Sequence, residues 1–273
     1  MSPRSETGVS EAGLGLLAPL RGDPAHSAIF TDIDGTLAPI ADRPEHAGVP
    51  ARATQLLEAL GERFGLVGCV SGRRALEARR MVGAEGIAYA GNHGLELLLP
   101  GDREPRLDPS IQGHEDRAAR FVATLGDDAL ADTGLRLEDK GPIQALHWRG
   151  AKDEGSAEAR AHEIAAAAGR SGLEPHWGRK VLELRPVGGG GKGAAVAALL
   201  AADGLRAAVY AGDDRTDLDA FRRLRELCSE GSLDLAVCIG VSSPEGPMEL
   251  GEEGDVSVDG PAGWLEVLDS LAQ

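Results

Sequence analysis

Three clusters of acidic and hydroxyl residues each follow a short apolar run, and together they could carry phosphoryl-transfer chemistry. They are Asp32–Thr36 (DIDGT), Ser71–Arg73 (SGR) and Gly212–Asp217 (GDDRTD). Each apolar run is typical of a buried strand, and ligands of open α/β sheets bind at the carboxyl ends of such strands. We therefore expect the three clusters to meet at one edge of a sheet.

Carboxylates packed at such an edge repel one another and lose solvation, and a divalent cation offsets both costs. Mg²⁺ prefers oxygen ligands and keeps water molecules that a phosphate can displace. Within DIDGT, one carboxylate can attack phosphorus to form an aspartyl phosphate, while the other protonates the leaving group and later activates water. A surface Asx turn is the structural alternative for this motif.

Two further residues could contact a phosphoryl group. Ser71 could donate a hydrogen bond to it or cap the helix that follows. Lys192 follows a run of four glycines. It could neutralise the charge of the phosphoryl group or be a solvated helix end. A nucleotide P-loop is excluded, because its spacing would require Gly at Pro186 and Ser or Thr at Gly193.

The order of DIDGT, SGR, Lys192 and GDDRTD resembles the four motifs of the haloacid dehalogenase superfamily of phosphotransferases. The resemblance implies that Asp32 is the nucleophile and Asp34 the acid/base. It also implies that Mg²⁺ is held by Asp32, the backbone carbonyl of Asp34 and Asp213, with Asp214 and Asp217 supporting or completing the shell. The implied phosphate-binding residues are Thr36, Ser71, Gly72, Arg73 and Lys192.

Four finer motifs narrow the resemblance. They are GNHGLE at 91–96, EDK at 138–140, HWR at 147–149 and ELRP at 183–186. In combination they resemble the trehalose-6-phosphate phosphatase family, which implies Mg²⁺-dependent hydrolysis of trehalose 6-phosphate to trehalose and phosphate, the last step of trehalose biosynthesis. The implied sugar-binding residues are Asn92, His93, Gly94, Glu138, Lys140, Arg149 and Glu183. One departure is Gly191, where the family commonly has an acidic residue or Asn.

The sugar-binding assignments have structural alternatives. Glu138 and Lys140 alternate along a strand and could form an exposed ion pair. Arg149 and Glu183 could pair across strands. His93 could be a hydrogen-bonded turn residue.

Strand and helix patterns alternate before residue 100 and after residue 186, which predicts an α/β class with a doubly wound, Rossmann-like parallel-sheet core. Paired strands and helices between them predict an inserted α+β cap domain. We expect the core over 1–100 and 186–273 and the cap over 101–185. We also expect one helix over Ser110–Leu125 and strands over Ile87–Ala90 and Leu95–Leu99 within the parallel sheet.

The 273-residue chain carries a formal net charge of −16. Such acidity argues against nucleic acid and anionic membranes as partners. Its three cysteines form no CxxC pair. Buried thiols and the absence of an apolar run of about 20 residues predict a cytoplasmic protein.

Four other functions compete with hydrolysis of trehalose 6-phosphate. A related phosphatase could act on sucrose 6-phosphate or a glucosylglycerol-type phosphate, and a phosphomutase would share the aspartyl-phosphate step. A phospho-accepting signalling module also uses a carboxylate-rich Mg²⁺ site, but it would not need Asp34 or a long insertion. A catalytically silent partner of a trehalose-6-phosphate synthase would not need Asp32 and Lys192, although an active enzyme could also associate with that synthase.

Overall fold

The computed structural model describes residues 11–40, 48–188, 190–201, 204–243 and 246–273. The chain divides into two compact units. One comprises Met1–Arg106 together with Gly190–Gln273, and the other comprises Leu107–Gly189. The second unit is therefore inserted into the first.

Twelve strands and eleven α-helices are formed by the described residues. The strands are β1 (Ser27–Thr31), β2 (Leu66–Val70), β3 (Ala88–Gly91), β4 (Glu96–Leu98), β5 (Arg106–Leu107), β6 (Arg136–Asp139), β7 (Gln144–His147), β8 (Leu173–Gly178), β9 (Val181–Pro186), β10 (Ala207–Gly212), β11 (Leu235–Ser242) and β12 (Val256–Asp259). The helices are α1 (Glu11–Leu16), α2 (Ala18–Gly22), α3 (Ala51–Arg63), α4 (Ala75–Val82), α5 (Arg117–Ala123), α6 (Asp127–Asp132), α7 (Glu154–Arg170), α8 (Lys192–Leu200), α9 (Asp217–Ser229), α10 (Glu249–Glu253) and α11 (Gly260–Ala272).

The first unit is built on an eight-stranded sheet with the order β12-β11-β10-β1-β2-β3-β4-β5. The six strands from β12 to β3 pair in parallel. Every residue of β1 and β3 is buried, as expected for strands covered on both faces. The doubly wound α/β core predicted from the alternating pattern is confirmed.

Helices cover both faces of this sheet. Side chains of α3, α4 and α11 form one buried cluster with alternate strand residues such as Ile29. Side chains of α8 and α9 form the other cluster with the intervening residues, such as Phe30. The indole of the fully buried Trp264 also donates a hydrogen bond to Thr31 Oγ1 over 3.0 Å, so its polar group is satisfied inside the core.

One strand prediction needs correction. The segment at Leu95–Leu99 forms β4, which pairs antiparallel with β3 rather than in parallel. The reason is the short turn at Asn92–Gly94, because a parallel partner would need a long crossover connection. β4 and β5 extend the core sheet, so the first unit continues to Arg106 rather than ending at residue 100.

The second unit is an antiparallel sheet with the order β6-β7-β9-β8. Apolar residues on one face of it, including Leu146 and Leu182, form a buried cluster with α5, α6 and α7. The helix expected over Ser110–Leu125 is shorter than predicted, because α5 covers only Arg117–Ala123. Gly113 has φ +78° and interrupts the segment before α5.

None of the helices in the described part of the chain is both long enough and apolar enough to cross a membrane.

Candidate active site

The carboxylates of Asp32 and Asp213 leave neighbouring parallel strands at the same edge of the core sheet. Thr31 at the end of β1 pairs with Ala211 of β10, and the Asp32 N–H donates to the Ala211 carbonyl over 2.9 Å. One oxygen from each of Asp32, Asp213 and Asp217 lies within 4.8 Å of the others, and all three residues are buried. The structure thus brings two of the three sequence motifs into one carboxylate cluster.

Gly35 is required where Asp213 approaches DIDGT. Its φ is +99°, and a Cβ at this position would lie 2.0 Å from Asp213 Oδ2. The next residue, Thr36, is buried and donates its hydroxyl to Asp213 Oδ1 over 2.9 Å. The Thr36 hydroxyl thus orients this carboxylate, and its contact with phosphate stays a prediction.

The ammonium of Lys192 joins two carboxylates of the cluster. Its Nζ lies 2.8 Å from both Asp32 Oδ1 and Asp217 Oδ1, and the side chain is only 3% exposed. Lys192 is the first residue of α8, so its side chain starts from the N-terminus of this helix. Burial lowers the pKa of Lys192, but Asp217 and Asp32 outweigh burial and hold it above its usual value. The side chain therefore stays charged.

Asp217 is held by four donors. Besides Lys192, the Tyr210 hydroxyl donates to its Oδ1 over 2.6 Å. Its Oδ2 accepts the backbone N–H groups of Asp213 and Asp214 over 3.0 and 2.9 Å. These bonds fold the GDDRTD turn around the carboxylate, so Asp217 organises the turn as well as facing the cluster.

Asp214 is placed differently from the other predicted metal ligands. Its Oδ1 accepts hydrogen bonds from the Thr216 N–H and hydroxyl over 2.8 and 2.6 Å, at the start of α9. Burial raises the pKa of Asp214, but Lys192 and Thr216 outweigh burial and keep it well below its usual range. Asp214 caps the turn, and its contact with a metal stays a prediction.

The electrostatics of the cluster fit a divalent cation. Burial raises the pKa of Asp32 well above its usual value, and raises that of Asp217 to about 6, despite the ammonium of Lys192. Burial raises the pKa of Asp213 as well. Three carboxylates against one ammonium leave an excess of negative charge within this group. An oxygen-only donor set of this kind suits Mg²⁺.

Asp34 and Arg73 form a bidentate ion pair beside the cluster. The Arg73 guanidinium donates from Nε and Nη2 to the two oxygens of Asp34 over 2.7 and 2.8 Å, and from Nη1 to Glu77 over 2.9 Å. The Arg73 guanidinium is thus directed at carboxylates, and its contact with phosphate stays a prediction. Ser71 is buried, and its hydroxyl accepts the Arg73 N–H over 3.2 Å. The local contacts of Ser71 are therefore those of a turn cap.

The turn at Asn92–Gly94 is hydrogen-bonded to two other segments of the first unit. Asn92 and His93 have φ of 49° and 55°, in the left-handed region that such residues occupy at some energetic cost. Backbone bonds tie the turn to both neighbours, from the His93 N–H to the Ser71 carbonyl (3.0 Å) and from the Gly191 N–H to the His93 carbonyl (2.6 Å). The turn therefore lies between SGR and the start of α8.

Glu96 stabilises this turn through a hydrogen bond to the side chain of Asn92. Its carboxylate is 2% exposed and accepts the Asn92 side-chain amide over 3.0 Å and the Ala75 N–H over 2.8 Å. The same glutamate thus satisfies the N-terminus of α4 and fixes Asn92. Gly94 packs closely against α8, since a Cβ at this position would lie 2.9 Å from Ala195 Cβ. Its contact with the sugar stays a prediction.

In the second unit, charged residues share the face of the sheet opposite its buried cluster. The strand register sets Glu138, Ala145, Glu183 and His176 in one row across the four strands. Because side chains alternate between faces, Lys140, His147 and Arg185 belong to the same face. We refer to these seven residues as the polar cap face.

Ion pairs on the polar cap face differ from the pairs considered in the sequence. Glu138 accepts from His147 Nε2 over 2.6 Å instead of pairing with Lys140. Lys140 pairs with Glu183 Oε1 over 2.9 Å. Arg149 is exposed in the turn after β7, and Glu183 has Arg185 as its arginine partner.

Four residues at these sites were not predicted: Tyr210, Glu96, His147 and Arg185. The last three lie inside the motifs GNHGLE, HWR and ELRP, so their position in a motif was an available signal. Tyr210 has no such signal, because a tyrosine in an apolar strand is ordinarily a core residue.

The doubly wound core, the inserted unit and the carboxylates at the strand ends define the haloacid dehalogenase superfamily of phosphotransferases. A family model of trehalose-phosphatase matches residues 30–245, so the chain belongs to the trehalose-phosphatase family.

Individual relatives agree with this assignment. The chain is 36% identical over 215 residues to the trehalose-phosphate phosphatase of Mycobacterium avium (strain 104), and the match covers 73% of this chain and 52% of that protein. The chain thus spans about half the length of this relative. A crystal structure of a trehalose-6-phosphate phosphatase related protein has a TM-score of 0.69 and 27% identity, covering 90% of this chain and 96% of that chain. The C. albicans trehalose-6-phosphate phosphatase C-terminal domain shares the fold, with a TM-score of 0.72, 20% identity and coverage of 100% and 99%.

Proposed function

We propose that the chain hydrolyses trehalose 6-phosphate to trehalose and phosphate. The observation that carries the proposal is the buried carboxylate cluster at the strand ends, in which Lys192 contacts Asp32 and Asp217. The family supports the sugar phosphate as substrate, because the trehalose-phosphatase model matches most of the chain.

Asp32 and Asp34 would divide the reaction between them. An oxygen of Asp32 attacks phosphorus and forms an acyl phosphate while the bond to the sugar oxygen breaks. In its protonated form, released from the ion pair with Arg73, Asp34 gives its proton to the departing sugar oxygen and then takes a proton from water. That water attacks phosphorus, which releases inorganic phosphate and restores the Asp32 carboxylate. Lys192 neutralises charge on the phosphoryl oxygens.

Mg²⁺ would be held by Asp32, Asp213 and the backbone carbonyl of Asp34, with Asp217 close by. A bound Mg²⁺ supplies charge neutralisation for the phosphoryl group and allows the acidic cluster to stay ionised. The raised pKa of the buried Asp32 carboxylate supports this assignment, because burial favours its neutral form until positive charge is added.

We further propose that residues 107–189 act as a cap and that charged residues of the polar cap face recognise sugar hydroxyls. Glu138, Lys140 and Glu183 offer charged donors and acceptors of the kind that discriminates between sugars, since unpaired polar groups penalise a wrong substrate. Arg149 and the Asn92–Gly94 turn remain predicted sugar contacts. Sucrose 6-phosphate is the nearest alternative substrate.

Phosphate release from a set of sugar phosphates tests the proposal. With Mg²⁺, we expect release from trehalose 6-phosphate to exceed release from sucrose 6-phosphate and glucose 6-phosphate. Asp32→Asn should abolish all three activities while circular dichroism stays that of the wild type. A preference for another sugar would contradict the substrate, and retained turnover in Asp32→Asn would contradict the nucleophile.

A reducing compartment, the cytoplasm, is a further part of the proposal. It is supported by Cys69 and Cys238, which are buried free thiols, and burial raises the pKa of Cys238 to about 12. Association with a trehalose-6-phosphate synthase stays a prediction.

A further inference from the structure

Arg185 forms an ion pair with the carboxylate of Glu183 on the polar cap face. Its Nε and Nη2 both donate to Glu183 Oε2, over 3.1 and 2.6 Å. Lys140 Nζ donates to the other oxygen, Oε1, over 2.9 Å. The side chains of all three residues are 10–15% exposed. The carboxylate is therefore held between two cations, each fixing a different oxygen.

We infer that Arg185 is a positioning residue for substrate selection, which acts by fixing the orientation of Glu183. The inference rests on the proposed function, since it concerns how the cap discriminates the sugar. Arg185 lies two residues after Glu183 on β9, so the two side chains share one face of the sheet. No contact between Arg185 and the phosphate or the reacting atoms is involved.

The geometry suits arginine better than lysine. A guanidinium is planar and rigid, and it can present two N–H groups to one carboxylate, whereas an ammonium acts as a point charge on a flexible stem. The two Arg185 donors on Oε2 and the Lys140 ammonium on Oε1 together hold both oxygens and so the orientation of the carboxylate. Glu183 and its partner Lys140 are then presented to a ligand in one arrangement.

Stability alone does not account for this buried trio. Charges taken out of water lose solvation, and buried ion pairs are often no better for stability than apolar side chains of the same size. The neighbouring positions on β8 are polar as well, since His176 pairs in register with Glu183 and Glu174 with Arg185. A set of buried charges on a face free of the unit's apolar cluster points to recognition.

Substrate comparison in matched variants tests the inference. The variants are Arg185→Gln, Arg185→Lys, Glu183→Gln and the double variant Arg185→Gln/Glu183→Gln, and the substrates are trehalose 6-phosphate and p-nitrophenyl phosphate. We expect Arg185→Gln to raise KM for trehalose 6-phosphate about tenfold, the equivalent of one charged hydrogen bond. KM and kcat for p-nitrophenyl phosphate should change less than twofold. Arg185→Lys should recover part of the loss.

The double variant separates positioning from an independent contact. If Arg185 acts through Glu183, the double variant loses no more than Glu183→Gln alone, because the two effects are not additive. Arg160→Gln is the matched control, since Arg160 forms an exposed pair with Glu163 in the same unit. It should leave both substrates unaffected.

The outcomes that overturn the inference are distinct from failure of the proposed function. Equal losses on both substrates in Arg185→Gln, or additive losses in the double variant, would overturn the role of Arg185. A wild-type protein that hydrolyses p-nitrophenyl phosphate but not trehalose 6-phosphate would instead overturn the proposed function, and the inference with it.

Discussion

The buried hydroxyl of Tyr210 donates a 2.6 Å hydrogen bond to the carboxylate of Asp217, which lies seven residues later in the chain. Asp217 in turn receives Lys192, which also contacts Asp32. A tyrosine in a core strand thereby holds Asp217, and through it Lys192, in the carboxylate cluster that we propose as the active site.

Tyr210→Phe should lower both stability and kcat. It removes one hydrogen bond to a buried carboxylate, which contributes about 1.5–3 kcal/mol, and it lets Asp217 and Lys192 shift. Tyr89→Phe is the control, because the Tyr89 hydroxyl is also buried and donates to the Ala84 carbonyl over 2.7 Å. The control should lose about 1 kcal/mol of stability and keep its kcat. Denaturant unfolding and steady-state kinetics measure the two effects, and an unchanged kcat in Tyr210→Phe would argue against the contact chain.

Gly35→Ala should lower kcat about 100-fold or more through its effect on Asp213. The added Cβ would fall 2.0 Å from Asp213 Oδ2, and this carboxylate must move. A displacement of about 1 Å in an active site can reduce the rate roughly 100-fold. Gly101→Ala is the control, because Gly101 has φ +86° and nothing within 4 Å of the added Cβ. Both variants pay about 1–2 kcal/mol for the left-handed backbone, but only Gly35→Ala should lose phosphate release.

Mg²⁺ should stabilise the folded chain, and its removal should leave the fold intact. A ligand at 100 times its Kd stabilises by about 2.7 kcal/mol. Thermal unfolding with and without Mg²⁺ should show a higher Tm with the ion. Asp213→Asn should reduce this shift, whereas Asp234→Asn, which alters an exposed pair with Arg206, should keep it. An equal shift in the wild type and Asp213→Asn would remove Asp213 from the metal site.

Glu138 should stabilise the second unit more at neutral pH than in acid. The hydrogen bond from His147 lowers the pKa of Glu138 below its usual value, despite burial, which raises it. A lowered pKa in the folded state gives stability that is present above the unfolded pKa and is lost as the pH falls through the folded value. The stability difference between wild type and Glu138→Gln should therefore be larger at pH 6 than at pH 3. For the exposed control Glu163→Gln, the stability difference from wild type should not depend on pH in this way. The same result for Glu138→Gln would contradict the pair between Glu138 and His147.

The sequence was most informative where a motif ends an apolar strand. Asp32 and Asp213 follow runs with the composition of buried parallel strands, so their meeting at one sheet edge follows from topology. The hydrogen-bond partners of individual side chains could not be predicted in the same way. Arg73 reaches Asp34 across 39 residues, and Thr36 reaches Asp213 across 177. Such pairs depend on strand register and rotamer, which composition and spacing do not determine.

The errors in secondary structure have local causes. The sequence predicts one helix over Ser110–Leu125, but Pro109 begins a short turn and Gly113 adopts a positive φ before α5 begins. In β4, an apolar run of ordinary strand composition carried no information about direction. The Asn92–Gly94 turn sets that direction through left-handed backbone angles, which Asn and His adopt more readily than most residues other than glycine.

The pairing of β1 with β10 also bears on how the chain is made. Ser27 lies opposite Ala207, with the whole of the second unit between them in sequence. During synthesis from the N-terminus, β1 leaves the ribosome before its partner β10 has been made. The inserted residues are made in between and can fold as a unit. Contacts this distant in sequence form slowly, because a long loop must close first. The carboxylate cluster is therefore among the last features a nascent chain can assemble, and a truncated product would expose the unpaired side of a buried strand, which favours aggregation.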